Sequence, residues 1–173
     1  MTLDPKIEQV LSYFSLIYID GIPPMVTDAS AYLSFICTFC AVDALAGYRH
    51  GPNVKIGRRF KKFVTAYLPA AYHGREEQLY DLRNSMVHAF SASHFELTHN
   101  HPELHFTMRS QRVLLDAHSF YMDMKGAAEK YFAELKASAD LQKLFIRYID
   151  AENGGITVTP TGPAGLVVTG GMW

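Results

Sequence analysis

Apolar residues recur at helical spacing along most of the chain. Ile7, Val10, Leu11, Phe14 and Ile17 share one face, and Asp4-Pro5 ahead of them supplies an N-cap and a first-turn proline. Gly21 and the Pro23-Pro24 pair are expected to end this helix. A second helix is predicted from a cap at Asp28 to about Ala46, closed by Gly47 and Gly51-Pro52. It is apolar almost all round, the pattern of an element central to a bundle. "RRFKKFVTAYLP" predicts a short third helix with Phe60, Phe63, Val64 and Tyr67 on its apolar face and Pro69 at its end. A fourth helix is predicted from about Arg75 through Phe90. In "HFELTHNHPELHFTM" the alternation on either side of Asn100-His101-Pro102 predicts a short β-hairpin. Helical periodicity returns from Ser110 to about Lys136 and again from Ala139 to Ala151. The last stretch, "NGGITVTPTGPAGLVVTGGMW", holds two short β-like runs, and Val167, Val168 and Trp173 are expected to pack on this chain or a neighbour.

These elements predict a mainly α protein: a helical bundle over residues 1–153, a hairpin insertion near 94–108, and a Gly/Thr-rich extension over 154–173. A chain of 173 residues can bury a sizeable core as one domain. "MTLDPKIEQVLSYF" lacks the basic start of a signal peptide. The run "AYLSFICTFCAVDALAG" is interrupted by Ser, Thr and Asp43, so no membrane span is expected and the cytoplasm is the expected compartment. Cys37 and Cys40 inside that run, without a second pair, are read as small core residues rather than as a redox or metal site.

A formal charge of −1 argues against coating nucleic acid by bulk charge, but the charge is unevenly spread. Seven cations and no acid lie between Arg49 and Arg75. Arg49, Lys55, Arg58, Arg59, Lys61 and Lys62 could guide an RNA backbone, with Tyr48 or Phe60 available for stacking; a solvated helix face is the competing reading. The sharper signal is "LYDLRNSMVHAFS", which sets Arg83, Asn84 and His88 among Leu79, Leu82, Met86 and Val87. Four residues of helix bring Asn84 and His88 to one face, and the long Arg83 side chain can reach the same patch. Arg supplies a permanent forked cation for phosphate oxygens, His a group that exchanges protons near neutral pH, and Asn an orienting amide.

The pattern "RNSMVH", following an apolar helix that ends "VDALAGY" and the segment "RRFKKFVTAYLP", resembles the HEPN superfamily, helical nucleotide-binding domains, over about Tyr32 to Ser91. The resemblance implies an up-and-down helical bundle that pairs as a homodimer, with two motif helices facing one cleft. It also implies metal-independent RNA cleavage without a cofactor, in phage defence or a toxin-like stress response, with a neutralising protein partner conceivable. His88 would then act as general base on a ribose 2′-hydroxyl and Arg83 would stabilise charge on the phosphate. Asn84 would fix His88 or the scissile phosphate. The products would be a 2′,3′-cyclic phosphate and a 5′-hydroxyl. Pairing would also bring in a second motif histidine, as base and acid.

Other readings compete. Asp43 in the second helix is a ready partner to satisfy Arg83, and many HEPN-like domains bind a nucleotide or a protein without cutting. His94, His99, His101 and His105 could gather a transition metal, although their spacing matches no known motif and no metal is expected. Asp116, His118, Asp123 and Glu129 assemble no obvious acid–base pair. Ser85 and Ser91 lack a Gly-x-Ser-x-Gly elbow, and no glycine-rich phosphate loop is present.

Overall fold

The structure, a computed structural model, describes residues 2–27, 29–152, 157–160 and 166–169, the last two segments as backbone only. The expected cap at Asp28 and the expected packing of Val167, Val168 and Trp173 fall outside what is described. Among the described residues the protein is mainly helical with a small three-stranded sheet. Helix α1, Pro5–Phe14, starts where the Asp4 carboxylate accepts from the Lys6 N–H at 2.8 Å, and it buries Ile7, Leu11 and Phe14. It runs on into a π-helical turn, Ser15–Ile19. Helix α2, Ala31–His50, is long and apolar enough to cross a membrane by composition. Here it is the central element, packed against α3, Ile56–Tyr67, and against α5, Ala117–Ala137, and α6, Ala139–Ala151. Phe35, Phe39, Val42 and Leu45 supply its buried face, and Phe39 meets Phe60 of α3 and Phe120 of α5. Helix α4, Glu76–His88, packs on α3 and crosses α2.

Two sequence expectations are corrected here. No hairpin turns at Asn100-His101-Pro102. Strand β1, Phe95–Thr98, instead pairs in parallel with β3, Arg112–Asp116, in the register Phe95 to Val113 and Thr98 to Asp116. The hairpin lies further on, between β2, Met108–Arg109, and β3, across Ser110 and Gln111 at φ 47° and 67°. Two consecutive left-handed residues are what a tight two-residue hairpin requires. Residues 112–116 are therefore strand, and the predicted helix begins at Ala117, where Asp116 accepts from the Ser119 N–H at 2.9 Å. The segment between β1 and β2 is tied back through Asp116, whose other oxygen accepts from the His101 N–H at 2.9 Å. Burial pushes this carboxyl up, but the donors from Ser119 and His101 outweigh it and hold the group below its ordinary range. In the C-terminal extension β4, Thr157–Pro160, pairs antiparallel with β5, Leu166–Thr169.

Gly47 shows how tightly α6 seats on α2. A Cβ there would stand 2.3 Å from Cζ of Tyr148, whereas one at Gly126 in α5 would meet nothing within 4 Å. Gly47→Ala is expected to cost roughly 1–3 kcal/mol by overpacking. Gly126→Ala should stabilise by about 0.5–1 kcal/mol, because it removes the entropy cost of a glycine inside a helix. Urea midpoints of the two variants read both signs in one experiment.

Candidate functional site

Arg83 lies on the face of α4 that crosses α2. Its Nε donates to Asp43 Oδ2 at 2.7 Å and one terminal nitrogen donates to Asn84 Oδ1 at 2.9 Å. The Arg83 side chain is 25% exposed and that of Asp43 14%, so the pair sits at the rim of the core rather than inside it. The second terminal nitrogen of Arg83 makes no hydrogen bond among the described residues and remains available to an oxyanion. Burial pushes the Asp43 carboxyl above its ordinary range, against the pull of Arg83 and, more weakly, of Arg59. Its Oδ1 is buried with no hydrogen-bond partner among the described residues.

His88 is the last residue of α4, exposed, with no hydrogen bond or ion pair among the described residues. Asn84, one turn before it, does not hold the ring. Its amide oxygen is spent on Arg83, which leaves the amide N–H groups as donors. The chain just beyond α4 turns at Phe90, at φ 49° and 81% exposed, whose ring packs at 4.5 Å on Tyr32. Tyr32 in turn donates to the Met86 carbonyl at 3.2 Å. Leu33 and Val87 are about half exposed. A cavity of about 200 Å³ near the start of α2 is lined by Tyr32, Phe35, Leu97 and His99 and by none of the motif residues.

The basic run separates into distinct environments. Lys55, Arg58 and Lys62 are exposed with no ion pair among the described residues. Lys61 pairs with Glu77 at 2.5 Å. The Arg49 Nε donates to the Tyr67 hydroxyl at 2.7 Å, and that hydroxyl donates to Glu134 at 2.5 Å. Arg59 corrects the expectation of a surface phosphate contact. It is 7% exposed, stacks at 4.9 Å on the Tyr148 ring and donates to its hydroxyl at 3.1 Å. The proposed aromatic partners are likewise interior: Phe60 is buried, and Tyr48 stacks on Phe145.

The histidine-rich segment does not converge either. His105 is tied to Tyr72 and Asp123, His101 is exposed beside Glu103, and His94 is exposed. Among the described residues no three His, Cys, Asp or Glu side chains are grouped to hold a metal ion. The cysteine expectation is corrected as well: Cys37 is half-buried and Cys40 exposed, so Cys40 is not a core residue, and burial pushes both thiols up.

Sequence reasoning passed over His50 and Tyr148. His50 lies at the end of α2, and its Nε2 is buried with no hydrogen-bond partner among the described residues. Burial, then the charges of Arg49, Lys62 and Arg59, lower its pKa from 6.5 to about 4. The available signal was its place directly after Arg49 in a stretch without acids. The unfolded chain protonates His50 near pH 6.5 and the folded chain only near pH 4, so stability should fall as pH drops between these values. Urea midpoints of wild type and His50→Gln, compared across this window, should show a shallower loss in the variant. No protein-family model, curated protein or solved structure matches this chain, so its own geometry carries the functional reading.

Proposed function

We propose that this protein is a homodimeric, HEPN-like endoribonuclease that cleaves RNA without a metal ion, in phage defence or a toxin-like stress response. The observation that carries the reading is the solvent-facing His88, one helical turn from the Asn84 amide that steadies a partly exposed Arg83. An unencumbered imidazole can take the proton of a ribose 2′-hydroxyl. As the oxygen attacks phosphorus, negative charge grows on the non-bridging oxygens. The free terminal nitrogen of Arg83 and the Asn84 amide are the donors nearest in sequence to receive it. Bond cleavage then leaves a 2′,3′-cyclic phosphate and expels a 5′-oxygen, which needs a proton. A motif histidine from a second copy would supply it. Val87 and Phe90, exposed on either side of His88 in the chain, support that pairing, since large exposed apolar side chains beside a polar motif are a usual mark of an interface. Lys55, Arg58 and Lys62 would guide the RNA backbone.

The pairing of Arg83 with Asp43 favours a second reading, in which the motif holds a nucleotide or protein partner without cutting. The test is incubation of the protein with single-stranded RNA in excess chelator, with product ends analysed and molecular mass measured by sedimentation. Cyclic-phosphate ends from a dimer support the nuclease; intact RNA bound by the protein supports the second reading.

A further inference from the structure

The cavity near the start of α2 lies beside the motif, although no motif residue lines it. Its walls come from two elements: Ala31, Tyr32 and Phe35 in the first turns of α2, and Leu97, Thr98 and His99 at the end of β1. Tyr32 is the link. Its hydroxyl donates to the Met86 carbonyl at 3.2 Å, and its ring packs at 4.5 Å on that of Phe90. Met86 stands two positions before His88 and Phe90 two positions after it. One wall of the cavity is thus joined to the chain on both sides of the motif histidine.

Size and chemistry narrow the ligand. At about 200 Å³ the cavity is smaller than the roughly 300–1,000 Å³ of pockets for drug-sized molecules, so it suits one flat ring system rather than a whole nucleotide. Tyr32, Phe35 and Leu97 give it aromatic and apolar surface. The Thr98 hydroxyl, which makes no hydrogen bond among the described residues, adds a group that can both donate and accept. Strand β1 is also an edge strand among the described residues, so the backbone groups of its outer side are not taken up by the sheet. Both walls are held before any ligand arrives, Tyr32 by its bond to Met86 and Thr98 by its pairing with Asp116 in β3. A preset aromatic face with polar groups at its margin is how proteins hold an unstacked base.

We propose that this cavity is a nucleobase subsite of the motif cleft, in which a base stacks on the Tyr32 ring and bonds at its edge to Thr98. The assignment rests on the RNA-cleavage reading for the class of its ligand. It makes Tyr32 and Thr98 the residues that choose the nucleotide. Arg83 and His88 meet only phosphate and ribose in that reading, and these are the same for every base.

The test follows the Leu97 methyl groups by NMR while 2′-deoxy trinucleotides of each of the four bases, an abasic trimer and the four 5′-mononucleotides are added in turn. A strand without 2′-hydroxyls is not cut by this mechanism, so binding is read apart from cleavage. At least one base-bearing trimer should shift the methyls saturably and bind roughly tenfold or more tightly than the abasic trimer, the scale of one base stacked on an aromatic ring. Tighter binding of trimers than of mononucleotides would place the base in a strand, and equal binding would place it in a free nucleotide; either supports the subsite. Thr98→Val, close in shape to the wild type, should change the order of preference among the bases with melting unchanged. Leu97→Phe, which narrows the cavity, should weaken every base-bearing trimer and leave the abasic one alone. Base-selective binding by a protein that leaves RNA intact would reject the nuclease and keep the subsite, and RNA cutting without a saturable shift at Leu97 would do the reverse. Equal binding of abasic and base-bearing trimers, or wild-type binding by both variants, would overturn the proposal.

Discussion

Replacing His88 by alanine is expected to lower cleavage of single-stranded RNA in excess chelator by at least ~10²-fold, the lower end of what a positioned acid–base group contributes. The melting temperature should stay where it is, because the ring is exposed and no hydrogen bond among the described residues depends on it. That combination separates a chemical role from a structural one. In a mixed dimer of wild-type and His88→Ala chains, cleavage should fall steeply rather than by half if each cleft draws one histidine from each chain. Equal cutting by wild type and His88→Ala would remove His88 from the mechanism and leave the binding reading in place.

The largest stability effect is expected at Asp43. Asp43→Ala leaves Arg83 and Arg59, one partly and one almost wholly buried, without the carboxylate that faces both. Removing one member of a buried ion pair costs about 3–5 kcal/mol. Since Arg83 is a quarter exposed and water can solvate it in part, a loss of roughly 2–4 kcal/mol is the reasonable expectation. Arg83→Met should cost less, because Arg59 remains to face the carboxylate. Asp43→Ala combined with Arg83→Met should cost less than the sum of the single changes, as coupled residues do. Urea unfolding of the four proteins measures this, and strict additivity would show that the pair does not act as a unit.

The helices were legible in the sequence because each carries a punctuated apolar period. Asp4-Pro5 opens α1, Pro69 follows α3, and Ile7, Leu11 and Phe14 are buried on one face. The sheet was not legible. Strand β3 is the central strand and buries Val113, Leu114, Leu115 and Asp116 in succession, so it lacks the alternation that marks a half-buried strand. Its turn uses Ser110 and Gln111 where glycine or asparagine is the usual signal. Its parallel partner β1 lies eighteen positions away in register, beyond any local pattern. At the candidate site, the six-residue spacing located Arg83, Asn84 and His88 but not their hydrogen bonds. The same limit applies to the basic run, where Arg58 and Arg59 read alike in sequence. Their different fates follow from one helical step and from a tyrosine eighty-nine positions downstream.

Asp116 links parts of the chain that would otherwise come apart independently. One carboxylate starts α5 through Ser119 and holds the His101 backbone, while its own N–H donates to the His105 ring. That ring also contacts Tyr72 and Asp123, which reach the loop before α4 and the second turn of α5. The end of the sheet, the connection preceding it and the start of the longest helix therefore share a common fastening. Hydrogen exchange should detect them as one cooperative opening unit, with protection factors that rise and fall together.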